Sequence, residues 1–170
     1  KELEIKGEDA EEVGQKASKE ILEKIIKPSV EKMGIDFDVW FSEKSLDPEK
    51  VLDLLKKKGL TYEKGGALWF NAKKFGDDKN RVLVRKNGEK TYFASDIAYL
   101  NNKFERGFDK LILFMGADHA GYIKRMEAAS EALGYNKENL EFIIMQLVRL
   151  CKKGKQVTMS KRAGTYVTID

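Results

Sequence analysis

An unbroken apolar run at residues 111–115 constrains the fold of this chain most strongly, because it ends at Gly116 and Asp118 follows where a helix is predicted to begin. Continuous apolarity is typical of a strand that is buried on both faces of a parallel sheet. Open parallel sheets bind nucleotides at the carboxyl ends of their strands. The run therefore predicts an α/β sheet with a nucleotide site at its edge, where Asp118 can accept ribose hydroxyl groups.

A basic loop at residues 157–166, between two predicted strands, is the second informative stretch. Lys161 and Arg162 follow Ser160 and precede Gly164, a combination that suits a mobile loop gripping phosphate. A Lys on a flexible arm can follow the charge that develops on a pyrophosphate leaving group as its bond breaks. The alternative is a solvated basic turn, since short basic strings are common in a chain so rich in Lys.

Composition indicates a folded chain and leaves its partners open. Of the 170 residues, 42% are hydrophobic and 35% charged, and the net charge of +4 is too small to prove nucleic-acid binding. That length fits one domain, or one domain with a large insertion. The clustering of charged residues is more informative than the net charge. One short stretch contains several basic residues and no acidic ones, and we expect it to bind phosphate. Its basic residues are Lys152, Lys153, Lys155, Lys161 and Arg162.

Cysteine and histidine usage excludes some classes of protein. Cys151 is the only cysteine and His119 the only histidine, so an internal disulfide and a Cys/His zinc cluster are both excluded. A reducing cytoplasm fits this cysteine usage, and we expect no metal ligands in the chain. We expect no membrane contact either, since no run approaches the ~18 apolar residues of a membrane span. The first residue is not Met, and a strand-like segment precedes the last, so we expect a piece of a longer polypeptide.

The first half of the chain reads as mixed helix and strand. Its patterns predict an amphipathic helix broken near Pro28, a strand, a helix capped by Asp47, and two hairpins that form an antiparallel appendage. The corresponding ranges are 8–33, 37–42 and 47–59, with hairpin strands at 60–63, 67–70, 81–85 and 90–93.

The second half reads as half of a doubly wound sheet. Ser95 is predicted to cap a helix that begins at Asp96, and after the strand at 111–115 a helix over 118–133 ends at Gly134. Asn136 is predicted to cap one more helix. Its inward residues would be Leu140, Ile143, Ile144 and Leu147.

Four stretches, in their order and spacing, resemble the arginyl-tRNA synthetases, a class I aminoacyl-tRNA synthetase family. They are residues 91–99, 104–110, 116–122 and 159–162, and the resemblance runs from about Phe37 to the last residue. It implies an α+β connecting insertion with antiparallel hairpins at 1–90, followed at 91–170 by the second half of a Rossmann-like catalytic domain.

The same resemblance implies a function. The parent protein would be an arginine–tRNA ligase, a monomer that uses ATP with Mg²⁺ to convert L-arginine to arginyl-adenylate and transfers it to tRNA(Arg). The family generally needs bound tRNA before it activates arginine, and the insertion should contact the acceptor end.

Roles for single residues also follow from the resemblance. The catalytic loop would be Met159, Ser160, Lys161 and Arg162, with Lys161 as the loop's second lysine. ATP would contact Gly116, Asp118, His119, Val157, Met159 and Lys161. Two alternatives stay open: Asp118 as an ordinary helix N-cap, and His119 as a plain surface or core residue.

Arginine would contact Tyr99, Asn102, Asp118 and Asp96. The family usually has Asp where this chain has Asn102, and an amide cannot pair with a guanidinium as a carboxylate does. Either Asp118 and Asp96 carry the recognition, or arginine binds more weakly. Tyr99 could instead be a packed core aromatic, and Trp40 and Trp69 are predicted to be core residues rather than base-stacking platforms.

The chain departs from the family pattern in three further places. Thr158 stands where class I enzymes usually have a first Lys, Ala120 where relatives often have a second His, and the His-x-Gly-His signature is missing. We therefore expect that the chain alone cannot activate arginine. Two rival hypotheses remain: a non-catalytic RNA- or partner-binding module, and a class I synthetase for another amino acid.

Overall fold

The computed structural model describes residues 10–152, 154–157, 164 and 167–168. They belong to two units, one made of Lys1–Phe41 with Leu150–Asp170 and the other of Ser42–Arg149. Each unit is described by itself.

The first unit begins with the amphipathic helix that the sequence predicts. Helix α1 (Ala10–Ile21) continues through a π-helical turn (Leu22–Ile26) into α2 (Lys27–Lys32), where Pro28 lies in the first turn. Proline has no N–H and crowds the preceding turn, and a π turn is one way to absorb that disruption. Ion pairs along the exposed face join Lys24 to Glu20 at 2.5 Å and Lys27 to Glu23 at 2.7 Å.

The strand predicted at residues 37–42 is wrong, because this segment is irregular and exposed. The side chain of Phe37 is 50% exposed and that of Trp40 39% exposed, and their rings meet edge to face at 4.9 Å. Apolar residues form a strand only where a neighbouring strand accepts their hydrogen bonds. Among the described residues no strand forms a β-ladder with this segment, so Trp40 is a surface aromatic.

The second unit opens with α3 (Pro48–Lys57), which confirms the predicted helix. The carboxylate of Asp47 accepts hydrogen bonds from the backbone N–H groups of Glu49 and Lys50. Strands β1 (Thr61–Lys64), β2 (Ala67–Phe70) and β3 (Arg81–Val84) follow as an antiparallel sheet in that order. The predicted first hairpin is therefore confirmed.

The second hairpin is only half formed. Lys90 makes an isolated bridge to Val84, and the chain then enters α4 (Tyr92–Glu105) a turn earlier than the predicted Ser95 cap. Tertiary contacts with β3 explain this earlier start of the helix. The Thr91 hydroxyl donates to the carbonyl oxygens of Val82 (2.9 Å) and Leu83 (3.2 Å), which ties the start of the helix to β3.

An α/β crossover follows α4. Strand β4 (Leu111–Gly116) leads through a 3₁₀ turn (Ala117–Tyr122) into α5 (Ile123–Leu133), and β5 (Leu140–Met145) returns parallel to β4. Gly134 ends α5 with φ of 104°, as its predicted role as a C-cap requires.

The helix predicted after Asn136 is wrong, because β5 occupies that stretch. Asn136 caps a short 3₁₀ turn instead, accepting from the backbone N–H of Glu138 at 3.0 Å. The apolar residues Leu140, Ile143 and Ile144 suit a helix face and a buried strand equally well. Pairing with β4 decides between them, and Leu147 lies beyond the strand, 70% exposed.

One core joins the elements of the second unit. Fully buried side chains from α3, β2, β3 and α4 meet in it, namely Leu55, Phe70, Leu83 and Ile97. Lys58 ties α3 to α5, since its ammonium group donates to the carbonyl oxygens of Ala132 (3.0 Å) and Leu133 (2.7 Å). The predicted division at residue 90 into an insertion and a catalytic half stays a prediction.

The first unit also contains a short antiparallel hairpin, β6 (Cys151–Lys152) with β7 (Lys155–Gln156). Across the part of the chain that the structure describes, no helix combines the length and apolarity needed to cross a membrane.

Candidate functional site

A pocket of about 440 Å³ opens at the carboxyl end of β4, within the second unit. Helix α4 contributes residues from its first two turns, β4 contributes its last residues, and the 3₁₀ turn contributes the far wall. The lining residues are Tyr92, Asp96, Phe114, Met115, Gly116, His119 and Tyr122. The pocket thus lies at the sheet edge that the sequence predicts for a ligand.

Gly116 leaves room for the carboxylate of Asp118. A Cβ atom at this position would come within 2.5 Å of Asp118 Oδ1, so any larger residue would displace that carboxylate. The side chain of Asp118 lies 3.5 Å from Nε2 of His119, and both side chains are 63% exposed. The structure therefore places His119 and Gly116 in the pocket wall, with Asp118 exposed beside them.

Asp96 is held by another residue of the pocket lining, Tyr122. The Tyr122 hydroxyl donates a short hydrogen bond to Asp96 Oδ2. Burial raises the pKa of Tyr122, the adjacent Asp96 carboxylate raises it further, and Arg125 opposes that rise. Tyr122 consequently keeps its proton at neutral pH and acts as a donor to Asp96.

A cation stacked on aromatic rings lies next to this pair. The Arg125 guanidinium carbon is 4.4 Å from the Tyr122 ring centroid and 5.5 Å from that of Phe93. The two rings meet edge to face at 6.1 Å. The Nε atom of Arg125 is buried without a hydrogen-bond partner, and the faces of the two rings attract the charge of this guanidinium.

Tyr99 and Asn102, which the family resemblance assigns to arginine, are not among the residues that line this pocket. The ammonium group of Lys103 lies 4.1 Å over the Tyr99 ring. Burial lowers the pKa of Lys103 and Arg106 lowers it further, with Asp96 opposing. Asn102 Oδ1 is buried with no hydrogen-bond partner. Their roles toward arginine stay predictions.

Most of the predicted phosphate loop falls outside the part of the chain that the structure describes. Met159, Ser160, Lys161 and Arg162 lie outside the described residues. Val157 is described in the first unit, where its backbone N–H donates to the Leu150 carbonyl at 2.8 Å. The adenine and phosphate contacts of this segment therefore stay predictions.

Comparison with known protein families places the chain in one of them. The sequence matches the family described as tRNA synthetases class I (R), catalytic domain, across residues 1–170. The chain belongs to this family.

Curated members of this synthetase family are similar in sequence to this chain over most of its length. An arginine–tRNA ligase of Carboxydothermus hydrogenoformans is 53% identical over 96% of the chain, and one of Aquifex aeolicus is 52% identical over 88%. The chain spans 30% and 26% of the lengths of these two relatives.

Solved synthetase structures show the same fold. An arginyl-tRNA synthetase from Campylobacter jejuni has a TM-score of 0.77 at 33% identity, covering 99% of this chain and 43% of its own. That from Thermus thermophilus has a TM-score of 0.50 at 19% identity, covering 58% of this chain and 24% of its own, which bears on the fold alone. The predicted α/β class I synthetase fold is confirmed.

Four residues that line the pocket are absent from the sequence-based prediction of the site: Tyr92, Phe114, Met115 and Tyr122. Tyr92 and Asp96 are four residues apart and therefore share one face of α4, a signal that was present in the motif at 91–99. Tyr122 gives no comparable signal, because its contact with Asp96 spans a strand and a turn.

Proposed function

We propose that this chain is part of an arginine–tRNA ligase and that the pocket at the end of β4 receives the guanidinium group of L-arginine. The observation that carries the proposal is a carboxylate, Asp96, in a pocket walled by aromatic side chains.

The chemistry of the walls fits a planar cation. A guanidinium donates two parallel hydrogen bonds to a carboxylate, and aromatic faces attract its positive charge. Tyr92 is 84% exposed and Phe114 68% exposed, so both rings can cover a bound side chain. Because Tyr122 already occupies one acceptor direction of Asp96, the remaining acceptor directions serve the ligand.

The other substrates follow from the family. ATP would bind at the Gly116 edge beside Asp118 and His119, and tRNA(Arg) would accept the activated arginine. We expect Mg²⁺ to accompany ATP; in the part of the chain that the structure describes, no group of three His, Cys, Asp or Glu side chains could hold a metal ion. A monomeric parent and a cytoplasmic location stay predictions.

We propose, further, that this segment is inactive without the remainder of its relatives' length. The relatives named arginine–tRNA ligase, which match over 96% and 88% of the chain, favour this function over a non-catalytic binding module.

The test is Asp96→Asn in the full-length protein that contains this chain, assayed by arginine-dependent exchange of pyrophosphate into ATP with tRNA(Arg) present. Losing a charge-assisted pair should raise the KM for arginine at least ~10-fold. The preference for arginine over citrulline, its uncharged analogue, should fall by a similar factor, because a neutral amide does not attract the positive charge as a carboxylate does.

Asp53→Asn is the matched control. Asp53 is an exposed carboxylate on α3 that lies 3.6 Å from Lys56, and its loss should leave both kinetic quantities within about twofold. An unchanged arginine KM in Asp96→Asn would refute the pocket assignment. Efficient exchange with lysine, cysteine or glutamate, and none with arginine, would refute the choice of amino acid.

A further inference from the structure

We propose that Tyr122 is a positioning residue for amino-acid recognition: its hydroxyl locks the Asp96 carboxylate in the single orientation that meets the guanidinium of the substrate. This inference rests on the proposed function of the pocket. Tyr122 acts through Asp96, which makes the contact with substrate.

The direction of the hydrogen bond is determined by its surroundings. A tyrosine hydroxyl has one proton and can also accept, whereas a guanidinium can only donate. Arg125, stacked 4.4 Å from the Tyr122 ring, cannot receive the proton, so the proton points to Asp96 Oδ2. The pair therefore has one donor, the Tyr122 hydroxyl, and one acceptor, the Asp96 carboxylate.

Tyr122 is placed rigidly, whereas Asp96 on its own would not be. Tyr122 stands at the junction of the 3₁₀ turn and α5, and α5 is anchored in the core by the buried side chains of Met126 and Ala129. The Phe93 ring supports the Tyr122 ring from the side. A half-buried aspartate on a helix has several accessible rotamers. The hydroxyl selects one of them before substrate arrives, which lowers the ordering cost of binding.

The experiment uses Tyr122→Phe, which keeps the ring and its contacts with Arg125 and Phe93 and removes only the hydroxyl. In the full-length protein, pyrophosphate exchange should show an arginine KM raised about tenfold, with kcat and the ATP KM within about twofold. A purely structural role would not produce this split, because it would alter both substrates together.

Two further variants keep the result interpretable. Tyr135→Phe is the matched control, since the Tyr135 hydroxyl donates to Asn101 Oδ1 at 3.0 Å away from the pocket lining, and its arginine KM should not change. In an Asp96→Ala background, adding Tyr122→Phe should have no further effect on the arginine KM, because the group that the hydroxyl positions is gone.

The outcomes separate this inference from the proposed function. An impaired Asp96→Ala together with an unchanged Tyr122→Phe overturns the positioning role alone. An unchanged Asp96→Ala overturns the arginine pocket itself. If Tyr122→Phe lowers kcat, the affinity for both substrates and the melting temperature together, the hydroxyl has a structural role and the inference is overturned. An equal effect of Tyr122→Phe with and without Asp96 also overturns it.

Discussion

The buried ion pair between Asp77 and Arg81 provides the sharpest test of the energetics of the second unit. Arg81 Nε donates to Asp77 Oδ2 at 2.7 Å and Nη2 donates to Oδ1 at 2.6 Å. The Asp77 side chain is 1% exposed and that of Arg81 11%. Asp77→Asn keeps the shape and removes the charge, so it isolates what the ionised carboxylate contributes.

The magnitude follows from the pKa of Asp77. Burial alone would raise this pKa, but the hydrogen bonds from Arg81, then those from Asp78, outweigh burial and lower it from 3.8 to about 2. One pKa unit corresponds to about 1.4 kcal/mol, so ionisation of Asp77 stabilises the fold by about 2.5 kcal/mol at neutral pH. Since the folded-state pKa is the lower one, this stabilisation is complete above about pH 4 and is lost as pH falls through about 2.

The assay is urea unfolding followed by tryptophan fluorescence at pH 7, 5, 3 and 2, because Trp69 on β2 pairs with Val82 of β3. Urea, being uncharged, leaves the ion pair unscreened. Asp77→Asn should lower the free energy of unfolding by about 2–3 kcal/mol at pH 7 and 5, by about half that at pH 3, and hardly at pH 2.

Asp78→Asn is the matched control. The Asp78 carboxylate also contacts Arg81 but is 66% exposed, so its loss should cost less than about 1 kcal/mol. A cost of Asp77→Asn that is the same at pH 7 and pH 2 would show that the charge is not responsible.

Two more stability predictions use the same measurement. Leu55→Ala, at a fully buried position of α3, should lower the free energy of unfolding by about 2–5 kcal/mol. Val148→Ala, at a position that is 85% exposed, should change it by less than about 0.5 kcal/mol, and similar changes for the two variants would contradict the assigned core. Gly134→Ala should lower the free energy of unfolding by about 1–2 kcal/mol, because φ is 104° there, and a higher free energy of unfolding would contradict the left-handed conformation. Gly14→Ala, inside α1 with open space around it, should raise the helix content measured by circular dichroism.

Part of the pocket could be predicted from the sequence because its signals are local. The apolar run before Gly116 predicts a strand and its carboxyl end, and Asp96, Gly116 and His119 from the proposed site do lie together in the pocket there. The family resemblance assigns Tyr99 and Asn102 to arginine, and their spacing of three residues places them on one face of α4. That spacing alone does not determine which turn of α4 faces the pocket.

Local pattern determined the elements that carry their own signals. Asp47 before Pro48 marks the start of α3, Gly65 and Gly66 provide the positive φ of the first hairpin, and Gly134 ends α5. In each case the physical cause is a capping side chain or a backbone conformation that lies within a few residues of the position itself.

Tertiary structure alone decided the rest. Residues 140–145 became β5 because β4 supplies the ladder of hydrogen bonds, and α4 begins at Tyr92 because β3 accepts the hydroxyl proton of Thr91. Tyr122 reaches Asp96 only after the chain has crossed β4 and turned into α5. The sequence by itself thus determined the family and the edge of the sheet at which the pocket lies. The partner of each polar group in that pocket was decided by the folded chain, since such contacts join residues whose separation no local periodicity encodes.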